Sequence, residues 1–268
     1  MNLAELFPDA DYRFALRFTR GDAAAFFAPT EAHAVLRRHR AHWLQAEPAT
    51  YAALEPEGVP LLHEARELAH QWTGRKLLAG ASPWRACLAL GEFWEPDFLL
   101  LKLEDDGEIR LRGGCLCFPS AWRLGDKLGQ PLASIHAPVP GLNADLGAGI
   151  HKFLANLKPG LASLRHNWGL ARTPELNQHP DRNLPRLDAG VAAAEVWLRV
   201  EHQALVALPA ARGILFGIRV VHHPLAEVRA DVAACAGLRR ALTTMPEALA
   251  VYKGIAPARE RLLELLRD

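Results

Sequence analysis

What this 268-residue chain lacks narrows its chemistry. Cysteine is scarce, with four residues at Cys87, Cys115, Cys117 and Cys235. Only the middle two are close, and a lone C-x-C pair suits neither a zinc site nor a four-cysteine iron–sulfur cluster. No Walker A run occurs and no G-x-G-x-x-G follows a strand signal, so obvious sites for NAD(P)H or flavin are missing. An excess of either charge is also missing. Lys and Arg number 31 against 30 Asp and Glu, a net charge of +1, which leaves no electrostatic footprint for nucleic acid or an acidic membrane surface. There is no uncharged apolar run of ~18 residues, so no membrane-spanning helix is expected. The start, Met1-Asn2-Leu3-Ala4-Glu5, lacks the basic and then apolar regions of a secretory signal. The chain therefore reads as cytoplasmic, with reduced thiols. It contains no internal repeat and no low-complexity tract.

What is present is an ordinary core-forming composition, 50% hydrophobic and 23% charged, enough for one large buried core. Helical spacing runs over 22–46 after Asp22 as N-cap, and over 60–72 from Pro60 to a stop near Gly74. Residues 98–103 and 109–117 read as a hairpin about Asp105-Asp106-Gly107, and 195–207 with 213–221 as a second about Leu208-Pro209-Ala210. Between them lie a loop-rich stretch over 119–140, a helix over 143–157 closed by Pro159-Gly160, and a long surface loop over 172–190. The end, 224–268, is helical with breaks near Pro246 and 254–257. Two hairpins flanked by helices predict an α+β architecture with a mainly antiparallel sheet.

Several residues stand out chemically. His136 sits in Ile135-His136-Ala137-Pro138-Val139-Pro140, where two prolines stiffen the backbone, so binding a metal there costs little entropy. Against this stands an ordinary loop histidine held by hydrogen bonds. In 195–207 the period of two places Trp197, Arg199, Glu201 and Gln203 on one face, and Val196, Leu198 and Val200 on the other, toward the core. The Arg199 row is either an exposed ion pair of little worth or a row that binds charge and moves protons. Arg165, Asn167 and Trp168 follow the helix break at Pro159-Gly160, and a capping Asn with a core Trp explains them as well as a ligand surface does. Lys127 and Arg123 are loop cations. Cys117 is a buried small side chain or a thiolate. His63, Glu67 and His70 share a helix face and could bind a metal, though a solvated polar face accounts for them and the spacing is not H-E-x-x-H. His222-His223 closes a strand without partners at a telling spacing.

Taken in order, Cys117-Phe118-Pro119-Ser120-Ala121-Trp122, Asp126-Lys127-Leu128-Gly129, the His136 run, Arg165-His166-Asn167-Trp168, Leu198-Arg199-Val200-Glu201-His202-Gln203-Ala204-Leu205 and Tyr252-Lys253-Gly254 resemble the heme-dependent oxidative N-demethylase family, once a domain of unknown function. The resemblance spans residues 90 to 255. It implies one PAS-like heme-binding domain over 1–268 with N- and C-terminal helical extensions. It further implies O2-dependent demethylation of a small alkylamine, as in dimethylamine to methylamine and formaldehyde, with flavin and iron–sulfur reductase partners. On that basis His136 is the axial-ligand candidate and Cys117 its runner-up. Arg199, Arg165 and Lys127, with Arg123 behind them, are propionate candidates. Trp168 and Asn167 are porphyrin neighbours, and Glu201 holds a substrate ammonium or transfers its proton. No C-x-x-C-H is present, so the heme would be noncovalent heme b, and electrons would come from an external NADPH, flavin and iron–sulfur reductase. The chain departs from the family's usual Arg-Val-Glu-Arg-Gln-Thr-Leu at His202 and Ala204. His202 alternates away from Glu201, so the change bears on the lost Arg and not on Glu201. Two rivals stand beside this: a heme-binding or sensor module without turnover, and a non-heme metal enzyme built on the His63 face.

Overall fold

Alternating apolar residues and glycine-marked turns build the sheet. The computed structural model describes residues 2–7, 10–77 and 82–267. Its strands are β1 (Thr19–Gly21), β2 (Ala52–Leu54), β3 (Asp97–Leu103), β4 (Ile109–Cys115), β5 (Ala162–Ala171), β6 (Trp197–Leu208) and β7 (Gly213–Pro224). They form one seven-stranded sheet in the order β1-β5-β6-β7-β3-β4-β2, with antiparallel neighbours throughout. Both expected hairpins are present. Gly107, at φ 83°, closes the first, a backbone conformation that a Cβ would strain. The α+β expectation holds. No helix among the described residues is long and apolar enough to cross a membrane.

Two helical groups dress the sheet. Val196, Leu198 and Val200 of the β6 region join the C-terminal helices through Leu225, Val228, Leu238, Leu242 and Leu262 in one apolar cluster. A second cluster gathers Leu61, Leu62 and Ala65 of the helix Val59–Thr73 with Leu90 and the apolar residues of β3 and β4. Gly74, at φ 67°, ends that helix as its sequence predicts. The helices Leu132–His136 and Leu142–Ala155 lie over the opposite face of the sheet, where they help to enclose a cavity.

Four expectations are corrected. The span 22–46 is two helices, Ala23–Phe27 capped by Asp22 and His33–Ala46, because Pro29 forces the preceding Ala28 into an extended conformation. The stretch around Arg165 is not a capped helix end but the ten-residue strand β5. Arg165 and Asn167 within it face the cavity, and this masks the usual alternation. His136 is not in a stiffened loop. It is the last residue of the helix Leu132–His136, opened by Pro131 and followed by Pro138 and Pro140. The loop 172–190 does not lie wholly at the surface, since Asn177, His179 and Leu187 within it are buried.

A buried ion pair fixes the turn that leaves β4. Arg40 Nη1 meets Asp97 Oδ1 at 2.5 Å, and Asp97 accepts from the amides of Cys117 (2.7 Å) and Phe118 (2.9 Å). That turn delivers Ser120 to the cavity.

Candidate functional site

Register brings the polar side chains together. Asn167 of β5 lies directly opposite Glu201 of β6, and Arg165 opposite Gln203, so four polar side chains share one face. On the same face Gln203 pairs with Ile218 and Leu205 with Phe216, where the surface becomes apolar. Between this face and the helices Leu132–His136 and Leu142–Ala155 lies a cavity of about 280 Å³. Ser120, Trp122 and Lys127 wall it from the loop side, Leu16 and Phe18 from the N-terminal segment, and Tyr252 from the C-terminal helices.

Glu201 is held by three neutral donors. Ser120 Oγ donates to its Oε1 at 2.5 Å, while Gln203 Nε2 (2.9 Å) and Asn167 Nδ2 (3.2 Å) donate to Oε2. Arg199 Nε donates to Ser120 Oγ at 2.8 Å, so the single hydroxyl proton of Ser120 is left to face Glu201. The other donors of Arg199 reach Leu176 O (2.9 Å), His222 Nε2 (3.1 Å), Phe118 O (2.7 Å) and Pro119 O (3.3 Å). All five of its N–H groups are occupied inside the protein, and the residue is only 3% exposed. Arg199 is therefore a strut for two loops, with no donor left for a propionate. His222 donates from Nδ1 to Pro174 O at 2.8 Å and accepts from Arg199. Burial, then the neighbouring guanidinium, pushes its pKa down to about 4.

His136 also lines the cavity. Burial, then the charges of Lys127 and Arg165, push its pKa down to about 4, so its imidazole is neutral at physiological pH. Neither ring nitrogen has a hydrogen-bond partner among the described residues. Arg165 and Lys127 are similarly unmatched. Burial lowers the pKa of each, and neither donates to a protein acceptor among the described residues. Each lies near an aromatic ring, Arg165 5.8 Å from that of Phe18 and Lys127 4.7 Å from that of Trp122.

Other candidates lie elsewhere. Trp168 falls on the opposite face of β5, edge-on to Phe7 at 5.1 Å and Tyr12 at 6.2 Å, because it is one residue out of phase with Asn167. Arg123 is committed to Asp181 and to Asp126 at 3.8 Å. Cys117 is fully buried beside Arg40 and Asp97, and burial pushes its thiol well up, away from the thiolate form. No cluster of three or more His, Cys, Asp or Glu among the described residues is arranged for a metal ion, the His63 face included. Sequence patterning assigns no chemical role to Ser120, Tyr252, Leu16 or Phe18, all of which line the cavity. For Leu16 and Phe18 a signal existed, the every-second-residue spacing of Tyr12, Phe14, Leu16 and Phe18.

A sequence model of the family described as haem-dependent oxidative N-demethylase, alpha subunit-like, matches residues 35–263. The chain belongs to that family. The family name carries heme dependence and oxidative N-demethylation, and the words alpha subunit point to a partner subunit. The cavity fits such a cofactor in its donor set. It offers one neutral, unpartnered imidazole for a metal, two unmatched cations for carboxylates, and apolar walls for a flat ring.

Proposed function

We propose that this chain is the heme-carrying component of an oxidative N-demethylase that takes a small, dimethylamine-like alkylamine and O2 and releases formaldehyde. In this account residues 1–268 act as one PAS-like heme domain in the cytoplasm. The observation that carries the proposal is the unmatched chemistry in one cavity. Among the described residues, His136 is neutral without a hydrogen-bond partner, Arg165 and Lys127 have no acceptor, and Glu201 has no cation on it.

His136 would ligate the iron of a noncovalent heme b, and Arg165 and Lys127 would meet its propionates. Asn167 lies within the same walls but is turned to Glu201. Bound heme supplies the O2 chemistry that side chains lack. The chain's own residues then act on the amine. Glu201 accepts an N–H from the cationic alkylamine and takes its proton at a carboxylate oxygen. Ser120, itself fixed by Arg199, keeps that carboxylate aimed. The apolar residues Leu99, Leu101 and Phe216 exclude water around the methyl groups. Electrons come from a separate NADPH, flavin and iron–sulfur reductase, in keeping with the absence of nucleotide and cluster motifs.

The test is expression with ample heme, followed by an absorption spectrum and a formaldehyde assay with dimethylamine, O2 and an added electron donor. A Soret band with formaldehyde release is expected. A Soret band without formaldehyde would favour the binding or sensor module, and no band would remove heme from the account.

A further inference from the structure

The segment before β1 runs extended, and its alternation sorts it into two sets. Asp11, Arg13 and Arg17 are exposed, while Tyr12, Phe14, Leu16 and Phe18 turn inward. Leu16 and Phe18 reach the cavity, while Tyr12 and Phe14 pack with Trp168 against the apolar cluster of the C-terminal helices. The Tyr12 amide donates to Thr244 Oγ1 at 2.8 Å and its ring meets Trp168. A Cβ placed on Gly149 would lie 3.1 Å from Leu16, so that side chain sits hard against the helix Leu142–Ala155. Phe18 stacks on Phe153 of the same helix at 4.0 Å and 12°. Leu16 and Phe18 both line the cavity. Among the described residues the backbone over 13–17 makes no hydrogen bond to the rest of the fold, so side-chain contacts alone hold it in place. The family match begins at residue 35, so this wall lies outside the matched segment.

We infer that Leu16 and Phe18 are specificity-determining residues, carried on a strap that the cavity's ligand holds in place. A segment fixed only by apolar contacts opens at low free-energy cost. A ligand that packs on Leu16 and Phe18 in the closed form stabilises that form by linkage. The walls and the unmatched Arg165 and Lys127 select a flat apolar ligand with an anionic edge. That this ligand is heme rests on the proposed function, whereas the wall itself does not. For a substrate beside it, the two side chains limit how bulky an amine can enter, and truncating either relaxes the limit.

Trypsin cleavage after Arg13 and Arg17 reads the strap directly. Hemin should slow it about fivefold or more in the unaltered protein, and the Leu16→Ala/Phe18→Ala variant should take up hemin without that slowing. A Soret band with unchanged cleavage at Arg17 would overturn the strap. If no Soret band forms, the heme reading fails separately, and 8-anilinonaphthalene-1-sulfonate, an apolar anion, serves as the probe. Fluorescence with protection at Arg17 then supports the strap. Fluorescence without protection, or no binding, overturns it. In loaded enzyme, Leu16→Ala should raise kcat/KM for N-methylbenzylamine relative to dimethylamine about tenfold, and an unchanged ratio would contradict the specificity role.

Discussion

Arg40 and Arg199 are both buried guanidinium groups, and they treat their charge differently. Arg40 meets a carboxylate directly, Asp97 at 2.5 Å, and adds Gly91 O at 2.7 Å and Cys115 Sγ at 3.3 Å. Its charge is closed inside the protein. Arg199 meets no carboxylate among the described residues, and holds carbonyls, His222 and the hydroxyl of Ser120, through which it reaches Glu201. Both act on Phe118, Arg40 through Asp97, which accepts from the Phe118 amide, and Arg199 directly, by donating to its carbonyl. The difference separates scaffold from site. Where charges cancel, the loop is merely held. Where Glu201, Arg165 and Lys127 line one cavity without cancelling, the protein leaves charge for something else to meet.

The comparison breaks most sharply at Arg40. Arg40→Met strands Asp97, and losing one partner of a buried pair costs about 3–5 kcal/mol. A thermal melt should show a large fall, and a near-normal melt would put Arg40 outside the scaffold. At Glu201 the loss should appear in turnover instead. Glu201→Gln removes the charge that meets the amine, so kcat/KM should fall about 10- to 150-fold, the worth of a charged hydrogen bond, with a far smaller change in the melt. Equal kinetics would remove Glu201 from the site. Arg165→Gln should leave the melt of heme-free protein almost unchanged, because it loses no internal acceptor. Its rate of heme loss to apomyoglobin should rise about tenfold, as for one charge-assisted contact.

How much of this was legible in the sequence follows from what each pattern encodes. The hairpin β3–β4 and the helix Val59–Thr73 are readable because periodicity and a positive-φ glycine agree. The face carrying Arg199, Glu201 and Gln203 is readable for the same reason, yet its partners are not. Ser120 lies 81 positions from Glu201, and alternation tells which way a side chain points but not what waits there. This is why Arg199 looked free for a ligand and proves fully engaged. β5 was hidden because Arg165 and Asn167 line a polar patch inside the fold, where the pattern expects apolar residues. Trp168 was misplaced by one residue of phase, enough to move it to the other face.

The smallest effect is one of pH. His136, His202 and His222 each have a folded-state pKa of about 4 against a usual 6.5, chiefly through burial. Between those values the unfolded chain binds more protons, so stability falls as pH drops from 6.5 toward 4 and is complete above 6.5. Thermal melts across that window should decline, and His136→Phe should flatten part of the decline. A melt that rises on acidification would contradict the burial of these rings.

The central claim is that His136 waits, neutral and unpartnered, for a metal in this cavity. Its most direct measurement is a hemin titration followed by absorption, run on the unaltered chain and on His136→Ala, with circular dichroism to check the fold. The account predicts one noncovalent heme per chain, removable by acid–acetone, and a Soret band that shifts or is lost in the variant while the circular dichroism spectrum stays the same. An unchanged Soret band in folded His136→Ala would contradict it.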